Sequence, residues 1–214
     1  MRRGVGVHGV RVVLIGGTSN VGKSTVGRAV AERLGFAYRS TDLLARHPGR
    51  PWRTPEREVP GHVAEHYASL TVDELITSVL AHYERLWPRI RTLIATHAAQ
   101  DEAGAGLVLE GSALWPVRVA GLDVPHTAAV WLTADEAVLR ARVRTGGRYE
   151  AATAEERALM DSFLARTERY QSLMVEALDE LGLGCIDAGA GRTVAALVES
   201  VLDAVAEQGA ADGS

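Results

Sequence analysis

Lysine is almost absent from this chain: among 214 residues every fixed positive charge except Lys23 is an arginine. Cysteine is equally scarce, with Cys185 alone, so an internal disulfide is excluded and the chain suits a reducing compartment. A basic surplus is missing too. The 23 Lys and Arg against 27 Asp and Glu give a net charge of −4, without the electrostatic footprint of a nucleic-acid binder. No apolar run approaches the roughly 18 residues of a membrane span. The run at residues 12–15 behind Met1-Arg-Arg is too short for a secretory signal. These absences point to a soluble, cytoplasmic protein that engages neither nucleic acid nor membrane, with length enough for one α/β domain or a domain plus a lid.

What is present is concentrated early. Residues 12–15, Val-Val-Leu-Ile, form the β-branched run of a buried parallel strand, and a helical pattern begins near Lys23. Between them Gly17-Thr-Ser-Asn-Val-Gly22-Lys23-Ser24 fits G-x-x-x-x-G-K-[ST], the P-loop, in the strand–loop–helix setting that motif requires. Its glycines let backbone N–H groups turn inward around a polyphosphate, and the helix N-terminus adds partial positive charge. The expected nucleotide-binding set is therefore Gly17, Thr18, Ser19, Asn20, Val21, Gly22, Lys23, Ser24 and Thr25. Lys23 reaches for the β- and γ-phosphates, and the Ser24 hydroxyl ligates Mg²⁺. The lone lysine stands where a compact ammonium fits and a broad, planar guanidinium fits poorly.

The remainder divides into a loose leader at 1–10, a domain at 11–206 and a polar tail at 207–214. Val26, Val30, Ala31 and Leu34 recur at helical spacing, and Gly35 stops that helix. Residues 36–40 read as a second strand. Residues 46–61, rich in Pro, Gly and Arg, read as a loop too long to be idle. Thr71 with Glu74 makes a capping box for a long helix, broken or kinked near Pro88. Residues 107–111 and 128–132 are further strands. Thr133 with Glu136 caps a helix to about Arg144, where Thr145-Gly-Gly-Arg148 interrupts the pattern. Thr153 with Glu156 caps another long helix stopped at Gly182, residues 184–188 form a fifth strand, and a closing helix runs from Thr193 to about Ala206. Strands alternating with helices imply a parallel sheet with right-handed crossovers, whose ligands sit beyond the carboxyl ends of the strands. The P-loop, Asp42, Glu110 and the segment after Asp187 all fall there.

In order along the chain, GGTSNVGKST, STDLL, LVLEGSALWP and an Arg-studded segment after the fourth strand resemble the P-loop small-molecule kinases. That family includes the nucleoside monophosphate, shikimate, gluconate and 2-phosphoglycerate kinases and chloramphenicol phosphotransferase. LVLEG with its Trp-Pro turn is most similar to 2-phosphoglycerate kinase, although the histidine expected after Glu-Gly is Ala113 here. STDLL is similar to both that group and chloramphenicol phosphotransferase. The resemblance implies a three-layer αβα P-loop NTPase fold with a five-stranded parallel sheet of order 2-3-1-4-5. It also implies a helical acceptor-binding insert at 45–100 and a LID at 140–155. The implied activity is transfer of the γ-phosphoryl group of Mg-ATP to a hydroxyl or phosphate of a small-molecule acceptor, by a monomer or homodimer.

Individual residues then take roles. Asp42, at the end of strand 2, is the expected acceptor base, or equally an N-cap for the turn that follows. Glu110 occupies the Walker-B position and would hold Mg²⁺ through water beside Ser24, or contact the acceptor, against the alternative of a strand-end acid that merely meets solvent. Arg144 and Arg148 are the expected catalytic LID arginines, hinged by Gly146 and Gly147, with Arg140 and Arg142 assigned to structure or solvent. Arg46, Arg50 and Arg53, with His62 and His66, are the expected acceptor contacts, against the alternative of a solvated Pro/Arg loop. Arg192 is the expected contact to the base of the nucleotide. The competing readings are an NTPase switch or motor and a nucleotide-binding protein without phosphotransfer. Neither an N-K-x-D nor an L-S-G-G-Q motif supports the first.

Overall fold

The computed structural model describes residues 9–44, 49–54, 58–100 and 106–211. Five parallel strands form the sheet: β1 (Val12–Gly17), β2 (Ala37–Ser40), β3 (Leu107–Glu110), β4 (Thr127–Thr133) and β5 (Cys185–Asp187). Their spatial order is β2-β3-β1-β4-β5, as expected, with β1 central between β3 and β4. The register pairs Ile15 with Glu110 and with Val130, so the strand ends carrying the P-loop and Glu110 lie side by side.

Among the described residues seven α-helices surround this sheet: α1 (Lys23–Leu34), α2 (Gly61–Ser69), α3 (Val72–Ala98), α4 (Pro116–Ala120), α5 (Glu136–Gly147), α6 (Ala154–Glu180) and α7 (Val194–Ala211). β1 is buried along its whole length, and its alternating side chains feed two separate cores. Val13 and Ile15 pack with Val26 and Val30 of α1 and with Val198, Val201 and Leu202 of α7. Val12 and Leu14 pack on the other face with Ile90 and Ile94 of α3 and Met174 and Leu178 of α6. The result is three layers around a sheet covered on both sides.

Both long helices start as the sequence indicates. Thr71 and Thr153 accept from the backbone N–H of Glu74 and Glu156, whose carboxylates accept in return from the cap backbone. Four local expectations are corrected. α3 runs through Pro88 as one helix, so of the expected break or kink the break is absent; the turns on either side bury Leu86 and Ile90 in one core. The helix after β4 is not capped by Thr133, which still pairs with Asp187 in the sheet; Asp135 takes the cap position. Gln171 instead fastens that corner, donating to the Ala134 carbonyl at 2.7 Å and accepting from its N–H at 3.1 Å. Third, α5 continues through Gly146 and Gly147, where α6 approaches so closely that a Cβ on Gly147 would strike the Met160 side chain. The expected hinge is thus a helix–helix contact. Fourth, the expected tail is helical to Ala211, and Gln208 bonds both backbone groups of Ala129 at 3.0 Å. Of the expected leader, Val10 is already buried in the core, and residues 1–8 lie outside the described part.

Candidate active site

The P-loop is shaped by three residues with positive φ. Gly17 (φ 141°), Asn20 (φ 61°) and Gly22 (φ 109°) turn the chain out of β1 and into α1. At Gly17 a Cβ would lie 2.6 Å from the Leu132 carbonyl oxygen, so the strand-to-loop turn accepts no side chain. The loop is fastened from behind. Thr18, buried, donates from Oγ1 to the Thr167 carbonyl of α6 at 2.9 Å, and Arg142 of α5 donates to the carbonyls of Val21 and Ala188 at 2.8 and 2.9 Å. These contacts from α5 and α6 hold the loop from outside.

Inside this frame Lys23 is only 8% exposed and donates to the Thr18 carbonyl at 2.6 Å, curled over its own loop. Burial lowers its pKa, while the negative charges of Glu110 and Asp42 oppose that shift. The Ser24 hydroxyl donates to Glu110 Oε1 at 3.1 Å, and the Tyr38 hydroxyl donates to the same oxygen at 2.9 Å. Glu110 itself is 2% exposed. Burial, then the neighbouring Glu110 charge and hydrogen bond, push the Tyr38 hydroxyl up to about 12, so it remains a donor at neutral pH. Arg28 stacks over the Tyr38 ring at 4.9 Å.

The Ser24–Glu110 pair fits Mg²⁺. A hydroxyl that donates to a carboxylate keeps its lone pairs for a hard cation. No group of three or more His, Cys, Asp or Glu among the described residues forms an all-protein metal cage. Two protein oxygens beside a phosphate cradle match an ion that takes its other ligands from phosphates and water.

A cavity of about 460 Å³ opens above the loop. Ser19 through Thr25 form its floor, Glu110 and Asp42 one side, and Arg142, Arg192, Val194 and Leu197 the end toward α7. Arg50, Tyr83, Ser112 and Phe163 close the opposite end. Asp42 belongs to a 3₁₀ turn, Thr41–Leu43, in which Ser40 is the cap and accepts from the Asp42 N–H at 3.3 Å. The Asp42 carboxylate is therefore not a cap and is exposed to the cavity.

The structure gathers Lys23, Ser24, Asp42, Glu110, Arg50 and Arg192 around this one cavity, Arg192 also donating to Ser200 at 2.7 Å. It does not gather the others. Arg144 stacks over Tyr149 at 4.5 Å, and Arg148 ends α5 in a left-handed conformation at φ 51°. Both line hollows on the far side of the α5–α6 connection. Arg53 pairs with Glu156 at 2.7 Å. His62 is exposed on α2; His66 is half-buried beside Tyr67, its pKa lowered by burial and then by the Arg166 charge. Arg46 lies outside the described residues.

One residue that the motifs do not flag, Arg166, stands next to the loop. It is 5% exposed, donates from Nη2 to the Ser19 hydroxyl at 3.2 Å and stacks over Phe163 at 4.8 Å. Its signal in the sequence was a guanidinium on an otherwise apolar helical stripe, between Phe163 and Tyr170.

The strand order, the cradle at the tip of the central strand and the Ser–Glu pair beside it define an αβα P-loop nucleotide-binding protein. More particularly, a family model described as an AAA domain matches residues 13–161, and the chain belongs to that family. No curated protein matches the chain. Among solved structures, a gluconokinase from Sinorhizobium meliloti 1021 is similar over 98% of this chain and 97% of its own, at 21% identity and a TM-score of 0.54. A sugar kinase from Janibacter sp. HTCC2649 is similar over 92% and 94%, at 21% identity and a TM-score of 0.52. The fold is that of the P-loop small-molecule kinases. No helix among the described residues is long and apolar enough to cross a membrane.

Proposed function

We propose that this protein is an ATP-dependent kinase that transfers the γ-phosphoryl group of Mg-ATP to a hydroxyl of a small-molecule acceptor. The observation that carries the reading is the shared cavity: the Lys23 and Ser24 side of the phosphate cradle and the exposed Asp42 carboxylate face the same space of about 460 Å³. A nucleotide alone gives the exposed Asp42 carboxylate no role there; a second substrate does.

In this reading the inward N–H groups of residues 19–24 and the Lys23 ammonium hold the phosphates, and Arg142 and Arg192 border the base. Ser24 and Glu110 would hold Mg²⁺, whose charge offsets that of the phosphates. Asp42 orients the acceptor O–H and takes its proton as the oxygen bonds to the γ-phosphorus. The bond from that phosphorus to the β-bridging oxygen breaks, and its electron pair leaves with ADP. Arg166, next to Ser19, adds positive charge at the loop.

The test is ADP release with and without acceptor. Mg-ATP alone should turn over slowly, whereas a hydrolytic switch or motor turns over without any acceptor. Asp42→Asn should bind Mg-ATP as the wild type does and lose about 10²–10⁴-fold in acceptor-dependent turnover, the usual contribution of a positioned base. Unchanged turnover in that variant refutes the assignment.

A further inference from the structure

Glu110 is a buried carboxylate outside any ion pair among the described residues. It is 2% exposed, and Lys23, which senses its charge, bonds to the Thr18 carbonyl instead. An anion left so is costly to remove from water. Two neutral hydroxyls offset part of that cost without cancelling the charge. Both donate to the same oxygen, Oε1: Ser24 from α1 at 3.1 Å and Tyr38 from β2 at 2.9 Å. Oε2 takes no hydrogen bond among the described residues and is not sealed in the interior; it opens on the cavity that Glu110 lines.

The sheet brings Tyr38 there. β2 and β3 run parallel, with Tyr38 opposite Val108 and Ser40 opposite Glu110. Side chains two apart share a face, so Tyr38 stands one step behind Glu110 on the side that α1 covers, and its hydroxyl reaches forward to the carboxylate. α1 makes room for both side chains at a glycine. A Cβ on Gly27 would lie 3.3 Å from Cε2 of Tyr38 and 3.4 Å from Cγ of Glu110, and the next residue, Arg28, lies over the Tyr38 ring at 4.9 Å. Packing therefore holds the ring, and its hydroxyl is delivered to one chosen oxygen. A glutamate carboxylate gripped by a single donor turns easily about its last bond, a broad torsion that exchanges the two oxygens. A second donor on Oε1, from a different element, removes that freedom.

We propose that Tyr38 is a positioning residue of the magnesium site: with Ser24 it holds Glu110 by Oε1, so that Oε2 is presented to the cation or to a water bound to it. This rests on the reading of the P-loop as a Mg-nucleotide site and is independent of the acceptor. The two donors then differ in kind. The Ser24 hydroxyl is itself a ligand, whereas Tyr38 acts through Glu110.

The experiment is titration calorimetry of ADP on the full chain, once in EDTA and once in excess Mg²⁺; the quantity read is the gain in affinity that Mg²⁺ brings. Tyr38→Phe removes one oxygen from a half-buried ring and leaves its packing in place, so folding is not at stake. It should lower that gain by about tenfold and leave affinity in EDTA within about twofold, as for a residue that orients a metal ligand from behind. Glu110→Gln should lower the gain at least as far. Adding Tyr38→Phe to Glu110→Gln should cost no more than about twofold further, because the phenol then has no charged carboxylate to orient. An unchanged gain in Tyr38→Phe overturns the inference and leaves the nucleotide site standing. So does equal weakening with and without Mg²⁺, which marks a contact that only shapes the cradle, or full additivity of the two substitutions. A wild type that gives no heat with ADP, or gains nothing from Mg²⁺, overturns the Mg-nucleotide reading and this inference with it.

Discussion

The two ends of the cavity are built in opposite ways. At the phosphate end each functional group has a partner within the protein: Lys23 with the Thr18 carbonyl, Ser24 with Glu110, Glu110 with Tyr38, and Arg142 with three backbone carbonyls. At the acceptor end Asp42 is exposed on a single 3₁₀ turn, and Arg50 is exposed on a segment without regular structure. The difference teaches where preorganisation lies. The groups of the phosphate end are held by hydrogen bonds of the protein itself, whereas those of the acceptor end stand on an exposed turn and an irregular segment.

Removing Lys23 is the most severe way to break this contrast. Lys23→Ala should lower acceptor-dependent turnover by about 10³-fold and abolish the calorimetric heat of Mg-ATP, because no other ammonium is available to the cradle. Arg142→Ala attacks the same end from behind by releasing the carbonyls of Asn20, Val21 and Ala188. Nucleotide affinity should fall by about tenfold, as expected for charge-assisted bonds, with the preference among acceptors unchanged. Competition against a fluorescent ADP analogue measures it.

At the supporting residues on α2 and α6 the expected effects fall on stability. Arg166→Met replaces a buried cation outside any ion pair among the described residues with an unbranched side chain of similar reach, and melting temperature without ligand should rise by about 2–4 °C by scanning calorimetry. A fall shows that the stacking on Phe163 and Tyr67 outweighs the cost of the charge. His66 gives the smallest effect. Burial and the Arg166 charge hold its folded pKa below the ordinary 6.5, so the unfolded chain takes up the proton first. The stability difference is absent above that value and grows as pH falls through it. Melting temperatures at about pH 7.5 and about pH 5.5 should therefore separate less in His66→Gln than in the wild type.

The same contrast explains what could be read from the chain alone. The phosphate end is eight consecutive residues, 17–24, and local spacing carries it. The place of Glu110 at a strand end followed from the alternation of strands and helices, and the strand order from the resemblance to the P-loop kinases. The acceptor end draws on a turn after β2, the segment at 49–52, α3 and the middle of α6, and no spacing rule joins such distant positions. Arg144 and Arg148 had the expected sequence position for a lid. The helix carries on through Gly147, however, and turns those side chains to Tyr149 and the outer hollow. Arg166 was inconspicuous because a single arginine in a long helix with other charges reads as solvated until the packing shows what surrounds it. Pro88 misled in the other direction: a local rule for breaking helices yielded to burial on both flanking turns.

Arg166 and Thr167 are adjacent on α6, and both hold the phosphate loop, Arg166 through the Ser19 hydroxyl and Thr167 through Thr18. Each residue inserted into or deleted from a helix turns everything beyond it by about 100° and moves it about 1.5 Å. A one-residue length change between Phe163 and Arg166 would therefore unfasten the loop at Thr18 and at Ser19 together. That stretch of helix acts as a fixed ruler for the loop.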